Sequence, residues 1–229
     1  MQPRRNAGCI SRTMAEPGPF LPIMLDLRGR AVVVCGEGRL ALEKTRLLLA
    51  AGASVRLFSS PEDPNIAEMG SLVEWDSPPV EKTDIEDAYF VLYAGEDREE
   101  AQKLYNLCES MRKFFCSVDD PARCSVIFPA VARSGPVQVS ISTAGLSPTL
   151  SRRLKERIES EILTEDTGVF AEFLGRARAR LKDRLSGMDA KRAFWDRAFD
   201  QGLARVLKEE GEARAFAFVE VLLLEAANE

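Results

Sequence analysis

The residues whose types and spacing most clearly suit the binding of a ligand form the turn Gly36-Glu37-Gly38-Arg39-Leu40-Ala41. An apolar run, Ala31–Cys35, precedes this turn, and a helix-like segment, Leu40–Ala51, follows it. In a dinucleotide-binding unit the first glycine permits a tight turn, and the second leaves room for a pyrophosphate. The N–H groups at the start of the helix, where Arg39 and Leu40 lie, then attract the phosphates. The sequence therefore predicts a nucleotide-binding turn, and the alternative is a tight turn that binds nothing.

The residue types that the chain lacks narrow the chemistry further. Among 229 residues there is no histidine, so the commonest general base and metal ligand is missing, and Ser-His triads are excluded. The five cysteines form no C-x-x-C pair, which argues against a zinc finger or a disulfide framework. We expect Cys35 to be a small core residue and predict no metal site. Proton transfer must then fall to carboxylates, lysine, tyrosine, cysteine or the substrate itself.

Charge and hydropathy exclude other classes of protein. The net charge of -5 argues against nucleic acid as the main partner. No run of 18 apolar residues is present, so we expect no membrane span. No apolar stretch follows Arg4 and Arg5, so residues 1–18 are not a secretory signal, and we expect a disordered tail or a true start at Met14. These observations favour a cytoplasmic protein.

Strand-like and helix-like segments alternate through residues 19–128. This alternation predicts an α/β domain of Rossmann type, with a mostly parallel sheet and helices on both faces. Ligands of such sheets bind at the carboxyl ends of the strands, which here include Ala94-Gly95 and Asp119-Asp120. The predicted helices include Leu40–Ala51 and Arg98–Phe114. The predicted strands are Ala31–Cys35, Ser54–Phe58, Leu72–Trp75, Tyr89–Ala94 and Phe115–Val118.

The pattern changes after Asp120. Two strand-like runs, Val126–Ala132 and Val137–Ser142, are joined by a turn, and the second alternates as a half-buried antiparallel strand does. So small a β element, within residues 129–158, must dock on something or pair with another subunit. Ser147-Pro148 predicts a helix start. Residues 159–229 form a helical domain with predicted helices at Val169–Leu185, Ala190–Phe199 and Glu212–Ala227.

Five stretches in order resemble the precorrin-2 dehydrogenase and sirohydrochlorin ferrochelatase family, the N-terminal module of siroheme synthase. The first two are Leu21–Arg30, which opens the resemblance, and Ala41–Leu49 after the glycine turn. The others are Val118–Ala130, with its Val-Asp-Asp-Pro sequence, Ile141–Pro148, and Arg192-Ala193-Phe194-Trp195. The resemblance covers residues from about Leu21 to Phe199.

This resemblance implies the oxidation of precorrin-2 to sirohydrochlorin with NAD as the hydride acceptor, and in some members the insertion of iron as well. It also implies a homodimer, with the segment after Phe128 at the dimer contact. Asp119 matches the aspartate implicated in catalysis and would act as a general base. The alternative is that Asp119-Asp120-Pro121 is only a turn.

A second group of residues could bind the substrate, a tetrapyrrole with many carboxylates. Ser142-Thr143-Ala144-Gly145 offers hydroxyls and backbone N–H groups that suit an anionic ligand. Arginines nearby in sequence, notably Arg133 and Arg153, could pair with its carboxylates. The alternative for the basic run, which also holds Arg152, Lys155 and Arg157, is a solvated helix face.

The cofactor preference rests on the resemblance, because the acid that usually binds the ribose is missing from the end of the second strand. Ser60 and Pro61 stand there, and Ser60 could bond a ribose hydroxyl. The chain also departs from the family at Glu37, at Gly95 and at Cys116-Ser117. Two other functions therefore remain open: a tetrapyrrole metal chelatase without dehydrogenase activity, and a non-catalytic nucleotide-sensing module.

Overall fold

The computed structural model describes residues 20–60, 63–64 and 69–226. The chain divides into two compact units at Phe128–Pro129. The predicted tail at residues 1–18 lies outside the described residues, as does Pro61. The further boundary that we predict between residues 158 and 159 remains a prediction.

The first unit is built on a five-stranded parallel sheet. Its strand order, β3-β2-β1-β4-β5, is that of a doubly wound α/β fold, in which the chain reverses direction across the sheet beside β1. In the register of the central strand, Val33 lies beside Arg56 of β2 and Val91 of β4. The strands are β1 (Ala31–Gly36), β2 (Ser54–Phe58), β3 (Glu74–Asp76), β4 (Phe90–Ala94) and β5 (Phe114–Ser117).

Helices cover both faces of this sheet, as the alternation predicts. They are α1 (Gly38–Ala50), α2 (Lys82–Ile85) and α3 (Arg98–Ser110). Successive residues of β1 point to opposite faces, so Val32 and Val34 join the core that contains Leu48 of α1. Val33 and Cys35 join the core that contains Leu104 of α3. The prediction that Cys35 is a core residue is therefore confirmed.

Several predicted boundaries in this unit differ from the observed ones, and two of the differences have a clear local cause. Leu72 lies in a 3₁₀ turn, Gly70–Leu72, before β3 begins at Glu74. The helix predicted to reach Phe114 ends at Ser110, because Arg112 adopts a left-handed conformation with φ 55° and turns the chain into β5. The helical periodicity of the sequence continues into the strand, so the sequence does not show where the helix ends.

The second unit begins with an antiparallel pair, β6 (Ala130–Ser134) and β7 (Val137–Ile141). The strand predicted from Val126 starts later, because Val126, Ile127 and Phe128 pack against the core of the first unit instead. The predicted hairpin docks on helices of its own unit. Its Ser134 is buried and donates a hydrogen bond to the carbonyl of Thr164 at 2.6 Å.

Helices make up the rest of the second unit. Ser147 caps the first of them, its Oγ accepting from the N–H of Leu150 at 3.2 Å, as the Ser-Pro sequence predicts. The short helix Leu203–Glu210 was not predicted, because only eight residues separate Gly202 from Gly211. The helices are α4 (Pro148–Glu161), α5 (Glu165–Arg180), α6 (Met188–Asp200), α7 (Leu203–Glu210) and α8 (Glu212–Ala226).

The four helices after α4 share one hydrophobic core, which is centred on Phe173, Ala198, Leu203 and Ala215. The last helix, α8, is only partly buried: Val219 and Leu222 belong to this core, whereas Val221 and Leu224 are exposed. No helix within the described ranges is long and apolar enough to cross a membrane.

Candidate functional site

An open cleft of about 1090 Å³ lies at the carboxyl ends of β1, β2 and β4 in the first unit. This is the edge at which a doubly wound sheet binds ligands. Every described residue that the sequence assigned to the cofactor lines this cleft, and so does Asp119. The residues are Gly36, Gly38, Arg39, Leu40, Ser60, Ala94 and Gly95. Pro61 lies outside the described residues.

The two glycines of the turn are required for different reasons. A Cβ on Gly36 would come within 2.7 Å of the backbone of Ala94, so only glycine lets β1 and β4 lie this close. Gly38 has φ +70°, and no atom lies within 4 Å of the position that a Cβ would take. The backbone is therefore open to the cleft at Gly38, where a phosphate has to approach.

The N-terminus of α1 lies at the cleft, which Gly38, Arg39 and Leu40 line. Glu37 occupies the N-cap position and makes no side-chain capping bond. The N–H of Gly38 instead donates to Oδ2 of Asp63 at 2.8 Å, and the Ser59 hydroxyl lies 3.3 Å from the same oxygen. Asp63 thus brings an acid to the end of β2, where the sequence analysis found none. Asp63 lies five residues beyond Phe58, so the sequence alone does not show that its carboxylate lies beside the glycine turn.

Asp119 lies in the loop after β5, and its side chain is exposed in the cleft. Its φ is 62°, a left-handed conformation that costs energy for a residue other than glycine, although aspartate tolerates it better than most. Such conformations concentrate at functional sites. The loop is fixed on both sides of it: Val118 N–H donates to Tyr93 O at 2.9 Å, and Asp120 pairs with Arg123.

The thiol and the phenol that line the cleft are held in their protonated forms. Burial, and then the nearby Glu100 carboxylate, raise the pKa of the Cys35 thiol to about 12. The same two causes raise the pKa of Tyr93, whose hydroxyl lies 3.3 Å from Glu100 Oε2 and 3.0 Å from Asp97 O. A thiolate or phenolate base at neutral pH is therefore disfavoured, and Asp119 stands out among the exposed carboxylates by its strained backbone.

Two of the departures from the family pattern, Glu37 and Gly95, also lie along this cleft. Glu37 is exposed beside the glycine turn and adds negative charge there. Gly95 packs against the Tyr93 side chain. Cys116 and Ser117 are buried in β5, so they serve the core of the first unit.

The predicted substrate residues lie in the second unit. Ala144 has φ 53°, so the Ser142–Gly145 turn is left-handed at its centre. Its hydroxyls already serve the turn: Ser142 Oγ accepts from the N–H of Ala144 at 3.1 Å, and Thr143 Oγ1 accepts from the N–H of Ser147 at 3.0 Å. The turn is therefore preformed.

The basic residues near this turn fall into two groups. Arg152, Lys155 and Arg157 each pair with a glutamate one turn further along α4, as a solvated helix face does. Arg133 on β6 and Arg153 on α4 are exposed and make no ion pair within the described part of the chain. These two keep positive charge available for an anion. Among the described residues no cluster of three metal-ligating side chains occurs.

Three family models match the chain in succession. An NAD(P)-binding family matches residues 23–130, the central region of a sirohaem biosynthesis protein matches residues 134–161, and the sirohaem synthase dimerisation region matches residues 166–223. The predicted nucleotide-binding domain coincides with the first of these. The dimerisation region lies outside residues 129–158, where the sequence analysis expects the dimer contact.

Relatives and solved structures agree with these matches. Siroheme synthase of Mannheimia succiniciproducens is 34% identical over 194 residues, and siroheme synthase 2 of Aeromonas hydrophila is 35% identical over 211. These alignments cover 82% and 92% of this chain but only 40% and 45% of the relatives.

The solved structure of SirC, a precorrin-2 dehydrogenase, superposes with a TM-score of 0.65 at 20% identity, and the match covers 92% of this chain and 100% of SirC. The predicted fold class is thereby confirmed. Together with the three successive family matches, the relatives confirm the resemblance, and the chain belongs to the siroheme synthase family.

Proposed function

We propose that this chain oxidises precorrin-2 to sirohydrochlorin with NAD as the oxidant, in the synthesis of siroheme. The observation that carries the proposal is one cleft that holds both an open glycine turn and the exposed carboxylate of Asp119. Within the sirohaem family, such a glycine turn can hold a dinucleotide, and the carboxylate of Asp119 can accept a proton. Because NAD is an intracellular cofactor, we expect the reaction to take place in the cytoplasm.

The first unit fits NAD by its own geometry. The open space at Gly38 and the N–H groups of Arg39 and Leu40 would hold the pyrophosphate. Ser60, Ala94 and Gly95 line the rest of the same cleft. When bound, NAD would serve as the hydride acceptor. The protein would bind and orient the two reactants and exclude water from the cleft.

Asp119 would complete the reaction as the proton acceptor. Oxidation of precorrin-2 removes two hydrogens, one as a hydride and one as a proton. Bound NAD would accept the hydride, and the Asp119 carboxylate would accept the proton from the tetrapyrrole and release it to water. The fixed loop around Asp119 would hold this carboxylate in place without the reorganisation that a mobile base requires.

The second unit would bind the anionic rim of the tetrapyrrole. Arg133 and Arg153 make no ion pair within the described residues, and their guanidinium groups match carboxylates in a bidentate way. The left-handed turn Ser142–Gly145 would add backbone and hydroxyl groups. We also propose that the active protein is a homodimer.

The decisive experiment is anaerobic incubation of the whole chain with precorrin-2 and NAD. The proposal expects NADH and the absorption spectrum of sirohydrochlorin to appear together at equal rates. A matched sample without NAD should stay unchanged. NAD binding without any turnover would instead support a nucleotide-sensing module and would overturn the dehydrogenase.

Insertion of iron into sirohydrochlorin is a second candidate. The observation that favours it is again Asp119, since a metal that enters the ring displaces two pyrrole protons that a carboxylate could accept. Supplying sirohydrochlorin and ferrous iron without NAD tests this activity separately. Siroheme formation that falls in Asp119→Asn would support it, and formation at the rate of a protein-free control would exclude it.

A further inference from the structure

We propose that Asp63 binds the adenosine ribose of the dinucleotide and thereby makes this chain select NAD over NADP. This inference rests on the proposed function. It assigns the specificity of the cleft to a residue outside the sequence motifs, and it identifies the acid that the end of β2 lacks.

The position of Asp63 is the first argument. Its Oδ2 accepts a hydrogen bond from the N–H of Gly38 at 2.8 Å, so the carboxylate lies against the glycine turn itself. In dinucleotide-binding sheets the acid that bonds the ribose hydroxyls comes from the segment after β2 and lies beside this turn. Asp63 is half-buried and lines the cleft together with Ser59 and Ser60.

The division of the N–H groups is the second argument. Asp63 engages the N–H of Gly38, at the start of α1, and leaves the next two positions of the helix, Arg39 and Leu40, for the pyrophosphate. The carboxylate and the phosphates would therefore bind the same helix N-terminus side by side.

The charges of the cleft are the third argument. NADP differs from NAD by a 2′-phosphate, which usually requires an arginine nearby. Arg39 is the one basic residue among the described residues that line the cleft, and its Nε is 2.7 Å from Glu43 of its own helix. A 2′-phosphate would instead meet the carboxylate of Asp63.

A purely structural role for Asp63 makes a different prediction. A carboxylate that only caps α1 would contribute to stability and would not distinguish the two dinucleotides. The test is therefore the ratio of the dissociation constants for NAD and NADP, together with the melting temperature of each variant.

Asp63→Asn removes the charge and keeps the size of the side chain and its hydrogen-bonding oxygen. Asp63→Ser is a second variant, which removes the carboxylate altogether and keeps a small polar side chain. We expect the preference for NAD over NADP to fall about 10-fold or more in both, since one close like-charge repulsion is lost. Titrations of the whole chain with NAD and with NADP, followed by calorimetry, measure it.

Glu37→Gln is the matched control, because it removes one negative charge from the same turn at a residue with no bond to Gly38. It should tighten both dinucleotides alike and leave their ratio unchanged. A wild-type chain that binds neither dinucleotide would overturn the proposed function and this inference together. Normal NAD binding with an unchanged ratio in both Asp63 variants would overturn the inference alone.

Discussion

Asp119 is exposed in the cleft, lies in a fixed loop and has a left-handed backbone, a conformation that concentrates at functional sites. Asparagine tolerates the same conformation, so Asp119→Asn should fold normally. Turnover of precorrin-2 should fall about 10²- to 10⁴-fold because the proton acceptor is lost. NAD affinity should hardly change. Steady-state rates beside an NAD titration check this, and near-normal turnover would reduce Asp119 to a turn residue.

A substitution at Gly38 tests whether the glycine turn binds the pyrophosphate of NAD. Gly38→Asp places a charged side chain in open space where we expect the pyrophosphate, and aspartate tolerates the positive φ at this position. NAD affinity should fall at least ~10-fold through steric exclusion and charge repulsion. Calorimetric titration measures the affinity, and the melting temperature serves as the control for folding. Unchanged affinity would exclude this turn as the phosphate site.

The residues differ in how far the sequence could identify them. Gly36 and Gly38 follow a fixed spacing after an apolar strand, so they could be predicted from the pattern. Asp63 could not, because its distance from β2 depends on the course of the connection after Phe58. The same holds for Arg133 and Arg153, which make no ion pair within the described residues, because the sequence does not show which acidic side chain each arginine meets in the fold.

At the scale of elements, one buried hydroxyl links the hairpin to the start of α5. Ser134 Oγ donates to Thr164 O and accepts from the N–H of Gly168 at 3.0 Å. Alternation predicted the strand β7, but no periodicity indicates that a serine near the turn would bond to the start of a helix thirty residues later. The sequence therefore identified the hairpin as dependent and did not identify its support.

Ser134→Ala measures this support. The Gly168 N–H and the Thr164 carbonyl would lose their partner in a buried place, so the free energy of unfolding should fall by about 1–3 kcal/mol. Ser140→Ala, at an exposed position of β7, is the control and should change stability by less than about 0.5 kcal/mol. Urea unfolding gives both values. Equal stability of the two variants would show that the hydroxyl does not hold the hairpin.

At the scale of the molecule, the sequence predicted the architecture better than its boundaries. Hydrophobic runs separated by helical periods suffice to predict a Rossmann-type sheet, and the observed five-stranded sheet is parallel, as expected. The errors, at Leu72, Phe114 and Val126, occur where an apolar residue serves a core without belonging to a strand, or where a local turn overrides the pattern. Apolar character alone does not distinguish these cases.

The apolar face of β7 has a consequence for the assembly of the molecule. Val137, Val139 and Ile141 alternate along β7, yet each is only half-buried within the chain. A two-stranded element with an incompletely covered apolar face is marginal by itself. We therefore expect a homodimer in which residues 129–158 cross between the subunits, and light scattering at micromolar concentration should give twice the mass of 25.4 kDa.

Val139→Asp should convert this dimer to a monomer, because it places a charge on the face that the partner covers. Val221→Asp is the matched variant on α8, within the dimerisation region at residues 166–223, where its side chain is exposed. If β7 forms the contact, Val221→Asp stays dimeric while both variants keep the helical circular dichroism of the wild type. A monomeric wild type would refute the dimer. Loss of the dimer in Val221→Asp alone would move the contact from β7 to the C-terminal helices, and the half-buried face of β7 would then need another explanation within its own subunit.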